Sequence, residues 1–365
     1  MSLHPRITKG NCDGKSLAYA EYRARVAGRP AGTINRERHM INRRHFIAAS
    51  ALAMCGIAAT ARGQILPKQA RILVGYPPGG SIDAIARVLA EKMRGSYAPT
   101  VVVENRPGNR AAVVMQGLMS AQADGAVMLL APHSVTTVWP HVYKNLSFDA
   151  FKDLLPISMV SFSDFALVVR ADVPAANLAE YAEWSKSNPK QNGLFGITGA
   201  VGGTPHFVGL LFAQSAGIAL TPVPYKGTVQ GIQDLLGGQT PAWVGPLGDI
   251  ERFHSAGKVR VLATTGLKRS KFVPQVPTFV EAGHKDVVWQ ERFGIWLRAG
   301  ATPQTVQALN KSVRDALDTP EVKGLCEKFG NEASGSSPAE FDAIIRREHA
   351  RWGAIIKSTG FQPED

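Results

Sequence analysis

The 365-residue chain is poor in cysteine, charge and long apolar runs. It has three cysteines, charged residues make up 19% of it, and aromatics only 8%. Two of the cysteines, Cys12 and Cys55, fall in the N-terminal stretch argued below to be removed, so Cys326 stands alone. A lone cysteine forms no internal disulfide and no cysteine-based metal cluster, and the exported domain is expected to rely on its apolar core. No Walker A loop, G-x-S-x-G elbow, H-E-x-x-H helix or correctly spaced G-x-G-x-x-G occurs; Gly196, Gly199 and Gly202 have the wrong spacing for a dinucleotide fingerprint. His133, His141 and His206 have no partner at recognisable nucleophile spacing. The sequence therefore reads as a non-enzyme that needs no cofactor.

What is abundant is apolar material, 45% of the residues, enough for one large or two medium domains. The formal net charge of +12 is unevenly placed: +7 lies within residues 1–61 and only +5 on the remainder. Without a downstream cluster of Lys and Arg, nucleic acid is not the expected partner; a small anionic ligand suits the mild excess better.

From Met40 the chain has the layout of an export signal. Arg43-Arg44 precede an apolar, small-residue stretch, Phe46 to Ala59, too short for a permanent membrane helix, and Ala59-Thr60-Ala61 supplies a cleavage pattern. The paired arginines resemble a twin-arginine signal with Asn42 in place of the usual Ser or Thr, which leaves the export route open. Cys55 is preceded by Met54, too large for a typical lipoprotein box. We expect residues 1–39 to be a non-native or disordered extension, with translation starting at Met40, residues 40–63 to be a cleaved signal, and the mature protein to lie in the periplasm.

Thereafter strands and helices alternate. Strands are expected at 71–76, 101–103 and 127–130, with helices at 82–94 and 116–123 between them. A second series has strands at 194–197, 220–224, near 242–244 and at 259–264, with helices at 207–216 and 229–236. This is the grammar of parallel sheets with helical crossovers. Two apolar extended stretches, 155–169 and 288–298, are expected to cross between lobes. Thr302-Pro303 opens a helix to about Leu317, and Ser337-Pro338-Ala339-Glu340 is a capping box starting a terminal helix. The expected lobes are residues 64–166 with 289–365, and residues 167–288. No periodic repeat is evident.

Four strand-to-helix loops can present backbone N–H groups. In Tyr76-Pro77-Pro78-Gly79-Gly80-Ser81-Ile82-Asp83 the glycines permit close backbone approach and Ser81 is placed to cap the helix. In Thr198-Gly199-Ala200-Val201-Gly202-Gly203-Thr204-Pro205-His206, Thr204 is expected as N-cap and Pro205 as the first helical residue. Tyr225-Lys226-Gly227 forms a third loop, and His133-Ser134-Val135-Thr136 a fourth. Helix starts attract carboxylates. Several such starts divided between two lobes suggest a cleft at the carboxyl ends of the strands. Tyr225 and Phe293 are candidate pocket aromatics, and core positions for both remain open.

These segments, with Val103-Glu104-Asn105-Arg106-Pro107-Gly108, Asp234-Leu235-Leu236-Gly237-Gly238-Gln239, Ala256-Gly257-Lys258-Val259-Arg260-Val261-Leu262-Ala263 and Val276-Pro277-Thr278-Phe279-Val280-Glu281-Ala282-Gly283, resemble the receptors of tripartite tricarboxylate transporters, the Bug family. The resemblance implies a two-lobed α/β binding protein, type II-like, shutting as a Venus flytrap on a small carboxylate in an interlobe cleft, and a monomer that delivers its ligand to membrane transporter subunits. It implies ligand contacts from Gly79, Gly80, Ser81 and Asp83, from Thr198, Gly199, Gly202, Thr204 and His206, and from Tyr225, Lys226 and Gly227, with Ser134 and Thr136 in a variable loop. The family's acid after Gly-Gly-Gln is missing at Gly245, and Asp249 lies four residues on. The family's glycine pair after Asn105-Arg106-Pro107-Gly108 is replaced by Asn109-Arg110-Ala111-Ala112. The other reading of such lobes is a ligand-sensing protein that docks on a membrane sensor.

Overall fold

The computed structural model describes residues 66–108 and 112–363. The expected extension and signal peptide, with Cys12 and Cys55, lie outside the described residues, as do Asn109, Arg110 and Ala111. No helix among the described residues is long and apolar enough to cross a membrane.

The first series folds as β1 (Gln69–Val74), α1 (Ser81–Met93), β2 (Thr100–Asn105), α2 (Ala112–Met119) and β3 (Val127–Pro132). Both β2 and β3 pair with β1 in parallel. The helix expected at 116–123 starts earlier, because Val114, Met115 and Leu118 supply its buried face. The fourth loop forms two single-turn helices, α3 (Ser134–Thr137) and α4 (Trp139–Val142). Next comes β4 (Leu154–Arg170), a 17-residue strand buried along most of its length.

The second series contains α5 (Leu178–Ser187), α6 (Pro189–Asn192), β5 (Leu194–Thr198), α7 (Thr204–Ala216), β6 (Thr221–Tyr225), α8 (Thr228–Gly237), β7 (Ala242–Pro246), α9 (Leu247–Ser255) and β8 (Val259–Thr264). The chain returns through β9 (Gln290–Arg298) and ends with α10 (Pro303–Leu317), α11 (Pro320–Lys328), the two-residue β10 (Glu332–Ala333) and α12 (Pro338–Ser358). Thr302 caps α10 and the Ser337–Glu340 capping box opens α12, both as the sequence suggests.

One sheet threads everything, in the order β2-β1-β3-β9-β4-β7-β5-β6, with β8 and β10 also paired to β4. Strand β4 runs antiparallel to β9 from Leu154 to Asp164, and then antiparallel to β7 from Phe165 onward. The extended stretches at 155–169 and 288–298 are thus the strands that join the two series, the second of them beginning at Gln290.

The register fixes where the loops converge. β3 and β4 are both antiparallel to β9, so they run the same way, and the last residue of β3, Pro132, aligns through Phe293 with Ser161. β7 runs opposite to β4 and ends with Pro246 beside Phe165. The carboxyl ends of the two series therefore point head-on at one short stretch of β4, four residues or about 13 Å long.

On one face of the second series a single indole sets the packing. The Trp243 side chain is fully buried. A Cβ added at Gly231 would lie 2.0 Å from its ring, one at Gly196 2.6 Å and one at Gly245 2.5 Å, so three glycines from α8, β5 and β7 open its slot. Gly231→Ala should destabilise by about 1–3 kcal/mol through overpacking, despite alanine's higher helix propensity. Trp243→Leu should also destabilise on its own. In denaturant unfolding the double variant should be more stable than the sum of the two single losses, because the smaller side chain leaves room for the new methyl group.

Candidate functional site

Two of the four loops are built alike. In the first, Gly79 takes φ +94°, a left-handed conformation that glycine adopts freely, and its N–H donates to Asp83 Oδ2 at 2.9 Å. In the second, Gly202 takes φ +87° and its N–H donates to His206 Nδ1 at 3.1 Å. Each loop is a clasp in which the first glycine's amide is gripped by the side chain four residues ahead. The following glycine, Gly80 or Gly203, is then the extended N-cap of α1 or α7.

This arrangement corrects two expectations. Ser81 does not cap α1 and Thr204 does not cap α7: each is the first helical residue, after a glycine N-cap, and Pro205 is the second residue of its helix. No side chain caps either helix start. The amides of the first turn thus stay open, the arrangement that favours an incoming anion. Pro77, Pro78, Gly79 and Gly80 are exposed, whereas Gly202 and Thr204 are buried.

The two clasps differ in charge. Asp83 is buried and accepts from Arg87 Nε and Nη2, both at 3.0 Å, and from Asn105 Nδ2 at 2.8 Å. Burial alone would raise its pKa, but the bonds from Arg87, Gly79 and Asn105 outweigh it and hold the carboxyl below its ordinary range. Asp83 therefore shapes the first loop and is already fully engaged there. Asn105 also donates to the Tyr76 carbonyl at 3.1 Å. His206 is neutral: burial pushes its imidazole down to about 4. With Nδ1 accepting from Gly202, its proton sits on Nε2.

The third loop joins the second. Gly199 N–H donates to the Tyr225 carbonyl at 2.8 Å, and the Thr198 and Thr228 hydroxyls lie 2.9 Å apart. The Asp249 carboxyl, raised by burial, is countered by a hydrogen bond to Thr228 and by the charge of Arg252. Thr198, Thr228 and Asp249 thus link the end of β5 to the first turns of α8 and α9. Gly227 is the uncapped N-cap of α8, and Lys226 is exposed.

Other candidates sit deeper. The Tyr225 ring packs 6.0 Å from Trp243 inside the core, and burial together with the nearby Asp234 carboxylate raises its phenol. Phe293 packs against the core of the first series. Gly245 faces the Trp243 indole, which explains why no acid stands there: the side chain would run into the ring. Ser134 and Thr136 are buried, and the Thr136 hydroxyl is turned back to the His133 carbonyl at 2.8 Å. Tyr76 is 41% exposed, while surrounding protein and the charge of Glu291 raise its phenol.

Sequence reasoning did not single out a polar group at the crossing strands. Gln290 Nε2 donates to Asp164 Oδ1 at 3.1 Å, and Arg292 holds the Gln290 carbonyl and side-chain oxygen at 3.1 and 3.0 Å. Glu291 lies 3.2 Å from His133 Nδ1. The available signal was charge interrupting apolar strands, where an ionised group needs partners. Burial pushes Asp164 up to about 6, with Gln290 and Arg292 lowering it and Glu332 raising it.

The two acids give opposite pH signatures. Asp83 has a depressed folded pKa, so its contribution is present above the unfolded value and lost as pH falls through the folded one. Asp83→Asn should cost about 1–3 kcal/mol near neutrality, with the difference from the parent shrinking below about pH 4 in acid unfolding. Asp164 has a raised pKa, so the folded state binds the extra proton and stability from this group falls as pH rises from about 4 to 6. Asp164→Asn should flatten that part of the stability profile.

The Tripartite tricarboxylate transporter family receptor pattern covers residues 85–361. BugT of Bordetella pertussis is 29% identical over 311 residues, 85% of this chain and 95% of its own. A Cupriavidus necator protein, known as the UPF0065 protein in the gbd 5' region, is 32% identical over 334 residues, covering 88% and 98%. The solved periplasmic binding protein BugD is 29% identical with a TM-score of 0.72, covering 82% of this chain and all of its own. An R. palustris structure with adipate is 26% identical with a TM-score of 0.73, covering 81% and 98%. The chain belongs to the tripartite tricarboxylate transporter receptors, periplasmic solute-binding proteins of the two-lobed, type II-like fold that serve transport and are not enzymes.

Proposed function

We propose that this receptor captures a small carboxylate between lobes formed by residues 64–166 with 289–365 and by residues 167–288, and delivers it to tripartite transporter subunits in the membrane. The observation that carries the reading is the pair of uncapped helix starts, α1 after β1 and α7 after β5, at the carboxyl ends of two parallel strand series whose inner strands, β3 and β7, point toward each other along β4. Each start carries roughly half a positive charge, so two together balance about one carboxylate without a cationic side chain. Gly80, Ser81 and Thr204 supply the amides, Gly203 N–H being turned back to the Ala200 carbonyl at 3.1 Å, and His206 Nε2–H is one further neutral donor. The adipate bound by the R. palustris relative supports an acid as ligand.

Closure gives these groups their strength. Charge-assisted hydrogen bonds from backbone N–H strengthen as water leaves. A micromolar complex corresponds to about −8 kcal/mol, within reach of several such bonds after the cost of ordering two lobes. The Thr198–Thr228–Asp249 string lies beside the second loop, where it meets whatever the ligand carries beyond its first carboxylate. Residues 40–63 act as a cleaved export signal.

Calorimetry of the mature protein against monocarboxylates and the linear dicarboxylates from malonate to adipate should find at least one acid binding near micromolar, with the matching uncharged amides failing. Ser81→Pro deletes one open amide at the first helical position, where proline fits and Gly80 is already extended. It should weaken that acid about tenfold or more, equivalent to about 1.4 kcal/mol, while leaving thermal unfolding nearly unchanged. Tight binding of uncharged solutes alone, or unchanged affinity in the proline variant, would refute the reading.

A further inference from the structure

The C-terminal segment reaches from one series to the other. Helix α12 begins by packing Phe341 and Ile345 around Trp296 of the first series. Near its end Trp352 lies 4.8 Å from Trp289 and 6.0 Å from Phe207 on α7. Gly360, at φ +72°, then turns the chain, and the Phe361 ring comes to rest 5.3 Å from Phe207 and 6.2 Å from His206, edge-on to both. A Cβ at Gly202 would lie 2.8 Å from the Phe361 ring, so the ring sits directly on the glycine whose amide is clasped by His206.

We propose that Phe361 is a positioning residue for the ligand: it clamps the Gly202–His206 clasp and thereby holds the open amide of Thr204 in place. The first loop needs no such cover, because Asp83 is fixed by Arg87 and Asn105. The neutral imidazole has one backbone bond and two phenyl rings. Those rings cover the imidazole on the side away from its Nε2–H, and burial is the whole cause of its low pKa, with no charged group contributing. Removing Phe361 admits water, the imidazole gains a proton at mildly acidic pH, and a protonated Nδ1 no longer accepts from Gly202.

The role of the amides rests on the carboxylate reading above, so the first test uses no ligand. Imidazole NMR of the mature protein should show His206 neutral down to pH 5, whereas in Phe361→Ala its titration should rise toward 6, with faster hydrogen exchange at the Gly202 amide. Phe361→Leu, which keeps apolar cover and leaves the rest of the chain end intact, should restore both. The second test follows affinity for the tightest-binding acid of the malonate-to-adipate series. Corrected for ionisation of the acid itself, it should be flat from pH 5 to 8 in the parent and in Phe361→Leu, and fall about tenfold between pH 8 and 5.5 in Phe361→Ala. An unchanged His206 titration in Phe361→Ala, or alanine and leucine variants behaving alike, would overturn the proposal. Absence of any acid binding would instead count against the carboxylate reading, with the titration still deciding the role of Phe361.

Discussion

Everything at the site depends on the direction in which strands run into β4. Because β3 shares its direction and β7 opposes it, the two series end facing each other at Ser161–Phe165. Helices that follow parallel strands start at those ends, so the positive poles of two helix dipoles are gathered at the junction by topology alone. The same two crossing strands, β4 and β9, hold the Asp164–Gln290–Arg292 group at their meeting point.

The clasps refine what topology supplies. A helix start normally loses one of its open amides to its own capping side chain. Here glycine N-caps leave those amides open, and the side chain that might have capped is replaced by one four residues ahead of the first glycine, reaching back to that glycine instead. In the first loop the clasping group is an acid, neutralised by Arg87; in the second it is an imidazole held neutral by burial. Neither adds net charge beside the open amides, so the dipoles are left to decide what binds.

Much of this was legible in the chain itself. Alternating apolar runs marked the strands and helices, and the capping box and Thr302-Pro303 placed the terminal helices correctly. The Gly-Gly pairs flagged both helix starts. Reading Ser81 and Thr204 as caps failed because a small hydroxyl after glycine looks like an N-cap, and only the clasp geometry shows that the helix starts one residue before that reading allows. The likeness of Gly79-Gly80-Ser81-Ile82-Asp83 to Gly202-Gly203-Thr204-Pro205-His206 was on the page, but such an isolated pair makes no periodic repeat. Contacts distant in sequence were beyond reach. Phe361 on Gly202 and Trp243 in its glycine slot join residues that no local pattern relates, and Asp164 meets Gln290 only because β4 and β9 pair.

The central claim is that opposed backbone amides, not side-chain cations, grip the ligand. Amide NMR of the isotopically labelled mature protein during titration with a bound dicarboxylate tests it most directly. The Ser81 and Thr204 amide protons should move downfield together, with one shared dissociation constant, as both helix starts engage the same acid. Shifts confined to one helix start, or appearing only at charged side chains such as Lys226, would contradict the account.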